Sequence, residues 1–229
     1  MLKTIFFDLD DTLLDFAHAE AVALSRALRE MDVPVTDGIL ARYHEINAAQ
    51  WELLEEGRLT RPQVLTRRFD LLFQELGLCR SSRETCDRYE GYLAEGHFFI
   101  PGALELLAAL APRYDLYIAS NGAAAVQHSR LDSAGIKPYF KGIFISEAVG
   151  FDKPSLAFFE AAFAAIPGFS RETALMVGDS LTSDIRGGAG AGIRTCWFDP
   201  HGKPQRPDIT PDFRITALDQ LPALLVSLS

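Results

Sequence analysis

Basic residues are in the minority in this chain, 22 Lys and Arg against 31 Asp and Glu, for a formal net charge of −9. Without a basic excess there is no electrostatic footprint for tracking a phosphate backbone, so no nucleic-acid polymer is expected as a partner. Cysteine is scarce. Cys79, Cys86 and Cys196 are odd in number and share no metal-ligand spacing, which disfavours a disulfide framework and a zinc site and favours reduced thiols in the cytoplasm. The five histidines, His18, His44, His97, His128 and His201, are scattered in the same way and receive no chemistry. Long apolar runs are also missing. No stretch approaches the roughly 20 residues of a membrane-spanning helix. The first apolar run, Leu2 to Leu14, is broken by Asp8, Asp10 and Asp11, where a secretory signal would stay apolar. The expectation is a cytoplasmic protein with no membrane partner, a monomer or small homo-oligomer.

What is present is apolar patterning: 48% of the 229 residues are hydrophobic, enough for a core domain carrying a smaller one. Thr4-Ile5-Phe6-Phe7 reads as a buried strand ending abruptly at Asp8. Similar runs occur at Leu116 to Ser120, Gly142 to Ser146, Ala174 to Val177, Thr195 to Phe198 and, more weakly, Phe213 to Thr216. Helical stripes lie between them: Leu104, Leu107 and Leu110 after Pro101-Gly102, and Leu156, Phe159 and Phe163 after Pro154. Such alternation predicts a parallel sheet covered on both faces, with the ligand at the carboxyl ends of the strands. Residues 16–99 break the rhythm. Ala17, Ala21, Leu24, Leu28 and Met31 keep helical spacing, and Thr60-Arg61-Pro62-Gln63 forms a capping-box pattern before a stripe of Leu65, Phe69, Leu72 and Leu76. This stretch is expected to be a helical insertion between the first strand and the rest of the sheet.

Four places along the sheet carry chemistry. Asp8-Leu9-Asp10-Asp11-Thr12 follows the first strand; an aspartate there can act as a nucleophile and a second carboxylate as acid and base. Alone the pattern is weak, since paired aspartates are common in turns and helix caps. Gly178-Asp179-Ser180 follows another strand, with Asp184 five residues beyond Asp179. Asp8 and Asp179 at neighbouring strand ends would suit magnesium, a hard cation that takes one or two carboxylates with phosphate and water. Ser120-Asn121-Gly122 ends a third strand and offers a phosphate cradle, or an ordinary turn before a helix. Lys153 precedes Pro154; amid several carboxylates a fixed cation offsets repulsion as phosphate binds. The glycine run 187–192 precedes a strand instead of following one, so close helix packing and a helix stop explain it better than a dinucleotide loop.

Taken together and in this order, Asp8-x-Asp10-x-Thr12, Ser120 with Asn121-Gly122, Lys153-Pro154, and Gly178-Asp179 through Asp184 resemble the four motifs of the haloacid dehalogenase superfamily. The resemblance implies a three-layer, Rossmann-like α/β core, residues 1–15 and 100–229, with an all-helical cap, residues 16–99, inserted after the first strand. It implies a magnesium-dependent phosphomonoester hydrolase in which Asp8 attacks phosphorus to give an aspartyl-phosphate and Asp10 is the acid/base. Asp8, the backbone carbonyl of Asp10 and Asp179 would bind Mg²⁺, with Asp184 in support. Ser120, Asn121 and Lys153 would hold the phosphoryl group, and Thr12 would brace the first loop. Insert position agrees: 111 residues separate Asp8 from Ser120 and only 30 separate Gly122 from Lys153.

Within the superfamily, the stretches Asn121-Gly122 through Gln127 and Arg130-Leu131, Ile145-Ser146-Glu147 to Lys153-Pro154, and Met176 through Trp197 look most similar to the noncanonical pyrimidine 5′-nucleotidases. Trp51, Gly57-Arg58-Leu59-Thr60 and Arg68-Phe69 fit that pattern in the cap. The substrate implied is a small phosphorylated metabolite, a pyrimidine nucleoside monophosphate, with Trp51 and Arg68 as candidates for reading it; a core aromatic and a surface cation are the plain alternatives. Rival readings are a phosphatase of phosphoglycolate or a sugar phosphate, a 2-haloacid dehalogenase, a phosphomutase and a non-catalytic scaffold. Asp10 speaks against the dehalogenase, which needs no leaving-group proton.

Overall fold

The structure, a computed structural model, describes residues 2–228. The short apolar runs form strands: β1 (Thr4–Phe7), β2 (Asp115–Ser120), β3 (Gly142–Ile145), β4 (Ala174–Gly178), β5 (Arg194–Phe198) and β6 (Phe213–Ile215). They pair in parallel in the order β3-β2-β1-β4-β5-β6. The chain therefore fills one side of β1 and then crosses to the other, which opens a crevice at the carboxyl ends of β1 and its two neighbours.

Strand alternation sends side chains to two faces. Ile5 and Phe7 join Leu116, Ile118, Leu175 and Val177 on one face, covered by α5 (Ala103–Leu110) and α10 (Leu221–Ser227). Phe6 points the other way into Tyr117, Met176 and Phe158, Phe159 and Phe163 of α8 (Leu156–Ala164). A fully buried Phe of this kind contributes about 1.5–3 kcal/mol by leaving water. The result is the expected three-layer α/β arrangement. The glycine-rich run 187–192 closes α9 (Arg186–Gly190) against Phe159 of α8, where a β-carbon at Gly187 would stand 2.5 Å from the ring. The remaining α-helices of this unit are α6 (Ala124–Ser133) and α7 (Ser146–Val149).

Two compact units emerge, Met1–Asp15 with Phe98–Ser229, and Phe16–His97. The chain leaves and re-enters the first through a short ladder, in which Asp15 N–H donates to the Phe98 carbonyl (2.9 Å) and Ile100 N–H to that of Leu13 (3.0 Å). These bonds fasten Phe98 and Phe99 to the sheet-bearing unit, two residues earlier than composition suggests.

The second unit consists of α1 (Phe16–Glu30), α2 (Asp37–Glu55), α3 (Arg61–Leu76) and α4 (Ser82–Leu93). Thr60 caps α3 with a backbone N–H to Gln63 Oε1 (2.8 Å), and Gly77, in the left-handed region at φ 65°, ends it. Tyr43, Phe69 and Tyr89, from α2, α3 and α4, meet with ring centroids 5.0–5.8 Å apart. Among the described residues no helix is long and apolar enough to cross a membrane.

Several helical stripes are rotated from their expected phase. In α1 the buried positions are Ala19, Glu20, Ala23, Leu24, Ala27 and Leu28, while Ala17 is exposed. In α3, Val64 and Phe73 are buried and Leu65 is not. Leu104 and Leu156, the first residues of their stripes, are 40% and 51% exposed. Helices rich in Ala, Leu and Phe carry apolar residues on most faces, so spacing alone leaves the buried face undecided.

Candidate active site

The crevice beside β1 is acidic. Asp8 directly follows β1, its N–H donating to the Val177 carbonyl of β4 (2.9 Å), and is 6% exposed. The chain then turns sharply. Leu13 and Leu14 N–H groups return to the Leu9 carbonyl (3.0 and 2.9 Å), and Asp11 takes a left-handed φ of 54°, a conformation that aspartate tolerates better than most residues. The turn brings Asp10 back beside the strand ends.

Beyond β4, Gly178 leaves room for Asp184 to fold back: a β-carbon there would lie 2.2 Å from Asp184 Oδ2. A π-helical turn, Leu181–Ile185, capped by Ser180 Oγ on Ser183 N–H (3.1 Å), carries Asp184, whose Oδ2 accepts from Ser180 N–H (3.1 Å). Carboxylate oxygens of Asp8, Asp179 and Asp184 all lie within 4.8 Å of one another.

Lys153 is the counter-charge. Its buried ammonium donates to Asp8 Oδ1 (2.7 Å), Asp184 Oδ1 (2.6 Å) and the Ala119 carbonyl (2.6 Å), which uses all three protons. Burial alone would lower its pKa, but Asp184 and Asp8 outweigh it and hold the ammonium protonated. Burial raises the pKa of Asp8 well above the carboxylate range; Lys153 opposes this, and the carboxylates of Asp184, Asp179 and Asp10 add to it. Asp179 is raised too, chiefly by burial, with Lys203 opposing at 2.6 Å from its Oδ2.

Three hard oxygen ligands crowded at one point, with cations drawn onto them, form a donor set that fits magnesium. Their mutual repulsion is what a divalent ion would relieve.

The remaining predicted residues fall as follows. Ser120 Oγ is buried at the end of β2 and accepts from Gln127 Nε2 (2.8 Å), which leaves its own proton to give. Asn121 differs from expectation. Its amide donates to the Lys153 carbonyl and accepts from the Lys153 N–H, both at 2.8 Å, so in this structure it holds the lysine loop instead of presenting its side chain to a ligand. Thr12 braces nothing through its hydroxyl, which is buried without a hydrogen-bond partner among the described residues. Asp10 lies outside the carboxylate cluster, and its side chain meets Gln127 and Arg130 of α6.

In the helical unit, Trp51 is half-buried, with the Arg61 guanidinium 5.5 Å from its ring centre. Arg68 corrects the expectation. It is 2% exposed, donating to Asn47 Oδ1 (3.0 Å) and the Leu65 carbonyl (3.2 Å), 3.9 Å from Glu90 and packed on the Tyr89 ring. A buried guanidinium must find acceptors nearby, and these hold Arg68 inside the bundle, not on the surface as a solvated cation.

Sequence pattern assigns no role to Gln127, Arg130 or Lys203. For the first two a signal exists, since they stand three apart in a helix directly after Ser120-Asn121-Gly122 and so share one face. Nothing local singles out Lys203, which reaches Asp179 across 24 residues.

The haloacid dehalogenase-like hydrolase profile matches residues 2–192. The HAD-hydrolase YfnB of Bacillus subtilis is 43% identical over 219 residues, 96% of this chain and 93% of that protein. Its crystal structure, described as bound to magnesium, superposes with a TM-score of 0.94 at 42% identity over 98% of both chains. The pyrimidine 5′-nucleotidases PynA of Streptococcus pneumoniae and YjjG of Escherichia coli are 40% and 33% identical over 96% of this chain, covering 93% and 96% of their own lengths. With a profile match over residues 2–192 and 43% identity to YfnB over 96% of its length, the chain belongs to the haloacid dehalogenase-like hydrolase family.

Proposed function

We propose that the protein is a phosphomonoester hydrolase acting on pyrimidine nucleoside 5′-monophosphates, with Asp8 as nucleophile. The observation that carries the reading is the buried Asp8 carboxylate held by Lys153 beside Asp179 and Asp184, with Asp10 kept apart on its own partners. The names of the relatives PynA and YjjG support the substrate class.

In the first half-reaction an Asp8 oxygen bonds to phosphorus while the ester P–O bond breaks, and the leaving alkoxide takes a proton from the Asp10 carboxyl. In the second, the Asp10 carboxylate takes a proton from water, whose oxygen bonds to phosphorus as the bond to Asp8 breaks. Ser120 donates its hydroxyl proton to a phosphoryl oxygen, and Lys153, positioned by Asn121, offsets the incoming charge. Asp8, the Asp10 carbonyl and Asp179 are assigned as the magnesium ligands, with Asp184 in support; the ion, when bound, neutralises phosphoryl charge. The helical unit Phe16–His97 is assigned the role of a cap that excludes water and reads the leaving group, with Trp51 as a stacking face.

A hydrolysis screen over nucleotides, sugar phosphates and phosphoglycolate, with and without Mg²⁺, tests this. Highest kcat/KM for UMP, dUMP or dTMP, lost on chelation, is the expected result. Preference for phosphoglycolate or a sugar phosphate would retain the chemistry and overturn the substrate, and turnover of 2-haloacids in place of phosphate esters would overturn both.

A further inference from the structure

We propose that Gln127 and Arg130 are positioning residues that hold the Asp10 carboxylate and the Ser120 hydroxyl in one frame, so that one turn of α6 sets both proton transfer and phosphate binding. The inference rests on the reading of Asp10 as acid/base and goes beyond it by naming what aims that group.

Gln127 Nε2 donates to Asp10 Oδ2 (2.7 Å) and to Ser120 Oγ (2.8 Å), so its amide protons tie the two side chains together. Gln127 Oε1 accepts from Arg130 Nη1 (2.9 Å), and the same nitrogen donates to Asp10 Oδ1. Each oxygen of Asp10 is thus held by a different residue of α6. Gln127 is 1% and Arg130 0% exposed, so both donors approach Asp10 from inside the core. A buried guanidinium is stable only where its charge is answered, and here the Asp10 carboxylate answers it. Gly122 provides the path: a β-carbon there would lie 2.4 Å from Gln127 Cγ, so any other residue would push Gln127 off Asp10.

This arrangement has a kinetic signature. An alkyl ester leaves as an alkoxide and needs the Asp10 proton delivered along its P–O bond. p-Nitrophenolate leaves readily without it. A proton donor displaced by about 1 Å can cost on the order of 100-fold, but only where the proton matters. Loss of general packing would slow both esters alike.

The experiment compares wild type, Asp10→Asn, Gln127→Met and Arg130→Lys. It measures kcat/KM for p-nitrophenyl phosphate and for whichever alkyl phosphate the wild type hydrolyses best. Gln127→Met keeps the bulk against Gly122 and removes the amide; Arg130→Lys keeps the charge and loses the planar fork. Gln127→Met is expected to lower kcat/KM for both esters through Ser120 and for the alkyl ester by about 10- to 100-fold more than for the aryl ester through Asp10, copying in that difference the pattern of Asp10→Asn. Arg130→Lys should shift the same way; should it fail to fold, Gln127→Met carries the test. Equal losses on both esters in Gln127→Met, beside a leaving-group-dependent Asp10→Asn, would overturn the inference and leave the acid/base reading intact. An Asp10→Asn variant insensitive to the leaving group would remove that reading and the inference with it.

Discussion

Lys153 Nζ stands 2.7 Å from Asp8 Oδ1, joining residues 145 positions apart in the chain. The contact is almost dry, with the lysine side chain 1% and the aspartate 9% exposed. Removing one partner of a buried pair leaves the other uncompensated, at a cost of about 3–5 kcal/mol. Lys153→Met is therefore expected to lower stability by an amount of that order and to abolish turnover. Added Mg²⁺ should restore part of the lost stability and none of the activity, and thermal melts with and without the ion check this.

The nucleophile and the acid/base should separate in their failures. Asp8→Asn is isosteric, so the fold should persist while turnover falls by several orders of magnitude on every substrate. Asp10→Asn should retain slow attack and accumulate phosphoenzyme, because the water of the second step lacks its base. Intact-mass spectrometry after brief exposure to p-nitrophenyl phosphate distinguishes the two. A phosphorylated Asp8→Asn protein would place the nucleophile elsewhere.

Burial raises Asp8 and Asp179 above their ordinary value of 3.8, with Lys153 and Lys203 opposing. Between the unfolded and folded pKa the native state then binds more protons than the unfolded chain. Stability from these groups is complete below the unfolded value and is lost as pH rises through the folded one. The chelated protein should thus lose melting temperature as these two groups ionise. Mg²⁺ replaces the protons, so its stabilising shift should grow as pH rises above the ordinary carboxylate value and through the raised folded ones. A magnesium shift independent of pH would contradict the raised carboxylates.

The two aromatic and cationic candidates of the helical unit should behave differently. Trp51→Ala is expected to lower kcat/KM for pyrimidine nucleotides by an amount matching about 1–3 kcal/mol of lost stacking, with p-nitrophenyl phosphate little changed. Arg68→Met should act on stability instead. It strips Asn47 of its partner beneath Glu20, to which Asn47 donates at 2.7 Å, and such breaks in buried polar networks cost about 1–3 kcal/mol. Calorimetry and a substrate profile run on both variants separate these outcomes.

Much of this protein is determined by local sequence. Six short β-rich runs each become a strand, because a parallel strand covered on both faces requires a continuous apolar segment and a polar residue where it ends. The residues at those ends, Asp8, Ser120 and Asp179, come together at one edge of the sheet for the same reason, and their motif order sufficed to mark the family. What spacing could not decide was direction and partnership. The buried faces of α1, α3, α5 and α8 follow from which neighbour each meets, since their sequences offer apolar residues on several sides. Arg68 reads locally like a solvent-facing cation, and only the packing of α2, α3 and α4 around it turns it inward. Asn121 looks like a phosphate ligand until the loop from Lys153 arrives at both ends of its amide. The frame that holds Asp10 is likewise tertiary: Gln127 and Arg130 stand 117 and 120 residues away, and only the parallel pairing of β1 with β2 brings the start of α6 to the end of the first strand. Hydrogen bonds and ion pairs act over about 3 Å, so they are decided by which chain segments the fold makes neighbours.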